Sequence, residues 1–158
     1  MLVRLLRFAQ SRGITVRFVE KCKLNGAAGT SHGNQIKIRT SETDVTTQAA
    51  TLAHEIAHSL LHWTADGHKI TSRDGKEIDK QQRELEAEAT AYTVCSYFGI
   101  QSPSDFYLAT YKITPAMLLE AVETIAATSK TILNGCQRVE VEEIVSADAQ
   151  ELAQACAV

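Results

Sequence analysis

His54 and His58 stand four residues apart with Glu55 between them, in the run His54-Glu55-Ile56-Ala57-His58. On an α-helix, residues at that spacing share a face, with side chains about 5–6 Å apart. Two imidazoles so placed reach one zinc ion at about 2.0–2.1 Å each, and Glu55 falls beside the open coordination position, where it can act as a base. The pattern is HExxH, and the chemistry it points to is metal-assisted hydrolysis. A catalytic zinc site of this type takes three protein ligands and a water, so a third donor must arrive from another segment.

The segment from Asp79 to Phe98 offers one. Leu85, Ala89, Tyr92, Val94, Cys95 and Phe98 recur at helical spacing, Ile78-Asp79 opens the helix and Gly99 closes it. It carries Glu84, Glu86 and Glu88. At 3.6 residues per turn Glu84 and Glu88 share a face, whereas Glu86 points about 200° around the helix from Glu84. This assigns Glu84 as the ligand and Glu88 as the carboxylate that accepts the free N–H of a ligand histidine and fixes its tautomer. Glu86 and Glu88 stay open as alternative third ligands.

The motif helix is expected over 44–63. Ser41, Asp44 and Thr46 are N-cap candidates, and Val45, Ala49, Leu52, Ile56, Ser59 and Leu60 define the side it buries. His62 extends the four-residue spacing but lies about 12 Å along the axis from His54, too far to join the same ion. It reads as a helix C-terminal histidine favoured by the macrodipole, with Trp63 packing nearby. His32 and His68 fall in polar, glycine-containing segments and read as surface residues. Together with Tyr92 they are unranked candidates for the donor that stabilises an oxyanion.

The elements around these helices complete the expected fold. Residues 1–43 read as an N-terminal helix and a small sheet. Met1 to Phe8 is basic and amphipathic, and Ile14–Val19 and Gln35–Arg39 alternate apolar and polar residues around the turn signals Asn25-Gly26 and Gly33-Asn34. An antiparallel sheet is expected. Thr64 to Lys80, with Asp66-Gly67 and Asp74-Gly75, reads as a polar loop bordering the cleft. Residues 102–158 read as mostly helical: a short helix opened by Ser102-Pro103, a longer one from Thr114-Pro115 to Asn134-Gly135, and a helical tail over Glu140 to Ala157.

At 158 residues and 44% hydrophobic content, the chain is expected to form one domain, 1–158, with a substantial core. A formal charge of −3 argues against a phosphate-binding surface, so nucleic acid is an unlikely partner. Cys22, Cys95, Cys136 and Cys156 have no metal-ligand spacing and read as reduced thiols. With no signal peptide and no membrane-length apolar run, a cytoplasmic enzyme is expected.

The order HEIAH, a connection, then Glu84-Leu85-Glu86-Ala87-Glu88-Ala89-Thr90-Ala91-Tyr92 resembles the ImmA/IrrE family of bacterial metallopeptidases and the related peptidase domain of ArdC-like antirestriction proteins. The resemblance spans roughly residues 14 to 134 and is specific at these two motifs. It implies an α+β, zincin-like fold and Zn2+ held by His54, His58 and Glu84. Glu55 is then the base and Glu88 the residue behind a histidine. Position 88 is Glu where most ImmA-type sequences have Asn or Asp, which fits the ArdC-like branch. In zincin-like enzymes a sheet edge binds extended substrate through backbone hydrogen bonds. The implied partner is a protein or peptide substrate, such as a specific repressor. The second reading is a zinc-stabilised antirestriction or regulatory interaction protein with little peptidase activity.

Overall fold

Two aspartates start the two central helices. The Asp44 carboxylate accepts the Thr47 N–H at 2.9 Å and opens α2, Val45–Leu61. The Asp79 carboxylate accepts the Gln82 N–H at 2.7 Å and opens α3, Lys80–Tyr97. Each cap satisfies a backbone donor that the first helical turn leaves free. These elements belong to a computed structural model that describes residues 1–40, 44–64, 66–101 and 113–155, with side chains to residue 138. Ser41 and the short helix expected from Ser102-Pro103 lie outside the described residues.

The chain begins with α1, Leu2–Ser11, followed by β1, Thr15–Val19, a 3-10 turn at Lys21–Leu24, β2, Gly29–His32, and β3, Gln35–Arg39. The sheet order is β1-β3-β2. β2 and β3 form an antiparallel hairpin through Gly33-Asn34, but β1 runs parallel to β3, with Val16 opposite Ile36 and Phe18 opposite Ile38. The sheet is therefore mixed, not antiparallel as expected. Alternation reports which face a strand buries and carries no direction, and the intervening strand Gly29-Thr30-Ser31-His32 has no alternating apolar residues to announce it.

The polar stretch after α2 is also more ordered than a loop. β4, Ser72–Arg73, and β5, Lys76–Glu77, pair across Asp74-Gly75, both with positive φ (52° and 76°), a turn that Asp-Gly favours. The last described element, α4, runs from Pro115 to Ala155. It passes through Asn134-Gly135, where a helix end was expected. Gly135 serves packing instead: a Cβ there would overlap the Phe8 ring.

Leu5, Phe8, Ile36, Ile38, Leu52, Ile56, Val94 and Ile132 form the main core, drawn from α1, the sheet, α2, α3 and α4. Leu85, Ala121 and Ile125 form a smaller cluster where α3 meets α4. Val45, assigned to the buried side of α2, lies in its first turn and is exposed; Tyr92 on α3 and Leu118 and Val122 on α4 are exposed too. Among the described residues no helix is long and apolar enough to cross a membrane.

Candidate metal centre

The helical spacing of α2 puts His54 and His58 on one face, and α3 lies across that face. The Nε2 atoms of His54 and His58 are 3.0 Å apart. Glu84 Oε2 stands 3.7 Å from the first and 3.6 Å from the second. Within this set each residue offers one ligand atom, and these atoms all lie within 4.8 Å of one another. Two nitrogens bound to one tetrahedral zinc at 2.0–2.1 Å are separated by about 3.3 Å, so the spacing suits a shared ion.

The surroundings decide which ring nitrogens carry hydrogen. His54 Nδ1 is 2.8 Å from Glu88 Oε2. A carboxylate only accepts, so hydrogen belongs on Nδ1 and a lone pair on Nε2. His58 Nδ1 is 2.9 Å from His62 Nδ1, and His62 Nε2 is 3.0 Å from Glu86 Oε2. With hydrogen on His62 Nε2 and on His58 Nδ1, each contact from His58 through His62 to Glu86 pairs a donor with an acceptor. His58 Nε2 then also presents a lone pair. Two lone pairs and a carboxylate oxygen converge, an arrangement that repels itself unless a cation joins the three. The donor set, two imidazoles and one carboxylate, is that of a catalytic zinc or similar transition-metal site.

Charge in the site follows burial and pairing. Burial pushes Glu55 above the ordinary carboxylate range, and the charge of Glu84 adds to the rise, while His54 and a hydrogen bond from Ser31 oppose it. Burial depresses His58, with Glu84 opposing. Burial also acts to lower His54, but Glu88, Glu55 and Glu84 more than offset it and the imidazole rises. Glu84 is pushed up by burial yet ends below its usual range, because His58 and His54 stabilise its charge.

A cavity of about 540 Å³ opens beside these groups, in the size range of ligand sites. Its walls include Gly29, Arg39, Thr51, His54, Glu55, Glu84 and Glu88. No described residue of the polar stretch 64–80 is among them, so its described part does not border this cavity. His32, His68 and Tyr92 do not line it either. His32 stacks on Trp63 with centroids 4.5 Å apart, and His68 is solvent-exposed beside Asp66. The three sequence candidates for an oxyanion donor are thus not brought to the site. Arg39 is at its wall, with its Nε buried and without a hydrogen-bond partner among the described residues.

The histidine at position 62 departs most from expectation. It is 1% exposed and hydrogen-bonded to Glu86, and burial lowers its pKa, so it is not a solvated imidazolium at a helix terminus. Trp63 packs on His32. Glu86 faces away from the three converging donors, as its helical angle requires. It is clamped by Arg73 at 2.8 and 3.1 Å and by Gln82 at 3.0 Å. The signal for His62 was present, because it is one turn beyond His58 on the same helix. Nothing in the sequence pointed to Arg73.

An α+β domain that gathers two imidazoles and a carboxylate beside a buried glutamate has the architecture of a metallopeptidase-type domain. The chain belongs to the IrrE N-terminal-like domain family of peptidases, whose family model matches residues 9–95. That span contains the sheet, α2 and nearly all of α3. No curated protein and no solved structure matches the chain.

Proposed function

We propose that the chain is a zinc-dependent endopeptidase that cleaves protein substrates. His54, His58 and Glu84 hold the metal, Glu55 is the base and Glu88 supports His54. The observation that carries this reading is the convergence of three acceptor atoms, His54 Nε2, His58 Nε2 and Glu84 Oε2, within reach of one cation. A zinc ion held there supplies Lewis acidity toward a carbonyl and lowers the pKa of bound water to about 7.

The protein's own groups do the rest. Glu55, raised by burial, takes a proton from the attacking water and returns it to the leaving amine. β2 is an edge strand, and its Gly29 lines the cavity beside Glu55. An extended peptide laid along that edge would gain backbone hydrogen bonds and pass the base. The guanidinium of Arg39, on the cavity wall with Glu55, Glu84 and Glu88, is suited to an acidic or carbonyl oxygen of the substrate. Family kinship extends the proposal to specific regulatory proteins, such as a repressor, as substrates.

The test is Glu55→Gln, purified with its metal and assayed against candidate protein substrates. The expected result is one zinc per chain in both proteins, with cleavage by the wild type lost on chelation and lost in the variant. Cleavage that persists in Glu55→Gln removes Glu55 as base. Stoichiometric zinc with no cleavage by the wild type returns the function to a zinc-stabilised interaction module.

A further inference from the structure

His62, Glu86 and Arg73 are buried or partly buried, and none of them lines the cavity beside His54 and Glu55. They nevertheless form one continuous chain of contacts ending on His58: Arg73 to Glu86, Glu86 to His62 and His62 to His58. Its polarity can be read end to end. A guanidinium only donates, so Glu86 accepts from Arg73 and Gln82 and remains an acceptor toward His62. His62 must present N–H to it from Nε2. That leaves the lone pair of a neutral His62 on Nδ1, 2.9 Å from His58 Nδ1, which must then be the donor. The lone pair of His58 is thereby sent to Nε2, 3.0 Å from His54 Nε2.

We propose that His62 is a positioning residue for the metal site: it fixes the tautomer and the ring angle of His58, and Glu86, anchored by Arg73 and Gln82, fixes His62 in turn. This rests on the reading of His58 as a metal ligand and adds the device that orients it. A histidine ligand is ordinarily oriented by a carboxylate or carbonyl behind it. His54 has Glu88 in that role. His58 has a second imidazole instead, interposed between ligand and carboxylate. The interposition follows from helix geometry: the ring one turn after His58 fills the space behind it, and Glu86, two residues beyond Glu84 on α3, meets that ring from the opposite side.

Two variants and one spectroscopic measurement test it. His62→Phe keeps a ring of similar size and removes both nitrogens, whereas His62→Gln retains an acceptor and a donor. Zinc affinity is measured by competition with a chelator, and folding of the metal-free proteins is followed by thermal melting. The expected result is a 10- to 100-fold loss of zinc affinity in His62→Phe, most of it recovered in His62→Gln. Ring 15N shifts of the wild type should place hydrogen on Nδ1 of His58 and Nε2 of His62, with and without zinc. Zinc affinity of a folded His62→Phe within twofold of the wild type overturns the proposal. So do ring shifts that put hydrogen on His62 Nδ1. If His62→Phe fails to fold, the ring shifts of the wild type decide. A wild type that binds zinc but cleaves nothing would sink the hydrolase reading and leave these measurements standing. A wild type that binds no metal would sink it too, with the metal-free ring shifts still deciding the relay.

Discussion

A Cβ placed on Gly29 would stand 2.9 Å from Glu55 Cγ and 3.0 Å from its Oε1, so the backbone of edge strand β2 rests against the glutamate of the motif. The same atom would meet Thr51 Cγ2 at 2.8 Å. Thr51 is one turn before Glu55 on α2, and real Cβ atoms do not approach other atoms so closely. Glycine is what lets the substrate-binding edge proposed here and the proposed base share one wall.

Gly29→Ala should therefore displace Glu55 without touching the three proposed metal-binding groups. A displacement near 1 Å is enough to lower turnover by about 100-fold. The expected outcome is unchanged zinc content with kcat reduced at least tenfold, measured by elemental analysis beside steady-state kinetics. Wild-type turnover in the variant would show that β2 yields and that Glu55 does not depend on its pressure.

The three glutamates of α3 make separable predictions. Glu84→Ala removes a converging oxygen and should abolish stoichiometric zinc. Glu88→Gln leaves the three donors in place and should weaken zinc by about 10- to 100-fold. Glu86→Gln should leave one zinc per chain at saturating metal. Equilibrium dialysis of the three variants ranks them, and retention of tight zinc by Glu84→Ala would move the ligand role to another residue.

The sequence made the centre of this site legible and its supports only partly so. His54, Glu55 and His58 stood out because a shared ion would demand one spacing on one helix. Glu84 and Glu88 followed from a shared face, and the 2.8 Å approach of Glu88 to His54 agrees with that geometry. Glu86, left open as a third ligand, faces away from the converging donors, and its partners were not visible in the sequence, because Arg73 comes from a hairpin whose Asp-Gly turn was read as a loop. His62 was misread because an imidazole at a helix end is usually solvated, and only the tertiary packing of α3 buries it. The parallel pairing of β1 and β3 had no local signal at all.

Gly135 gives a prediction opposite to helix propensity. In the interior of a long helix, Gly→Ala ordinarily stabilises by about 1 kcal/mol. Here the new methyl would overlap the Phe8 ring, which is buried in the main core between α1 and α4. Overpacking of a core costs on the order of 1–3 kcal/mol, so Gly135→Ala should lower the melting temperature. A companion change of Phe8→Leu alongside Gly135→Ala should recover part of the loss. Stabilisation by Gly135→Ala alone would mean that α1 does not pack on α4 at this point.

The cysteines should differ sharply in reactivity. Cys22 is exposed, whereas Cys95 and Cys136 are buried with no disulfide partner among the described residues, and burial pushes each of these two thiols up to about 11. The thiolate is the nucleophile, and at pH 8 a thiol near 11 is ionised in about one molecule per thousand. In a Cys156→Ser chain, an alkylating probe at pH 8 should label Cys22 rapidly, with Cys95 and Cys136 labelled only in denaturant. The sign of the linked stability follows from the same shifts. The folded chain holds two protons that the unfolded chain releases near the ordinary thiol pKa of 9.0, so their contribution is intact below about pH 9 and is lost as pH climbs toward 11. Mass spectrometry of the labelled peptides checks the first claim. Melting curves of the chain against Cys95→Ala between pH 8 and 11 check the second, because the variant should lose less stability over that range.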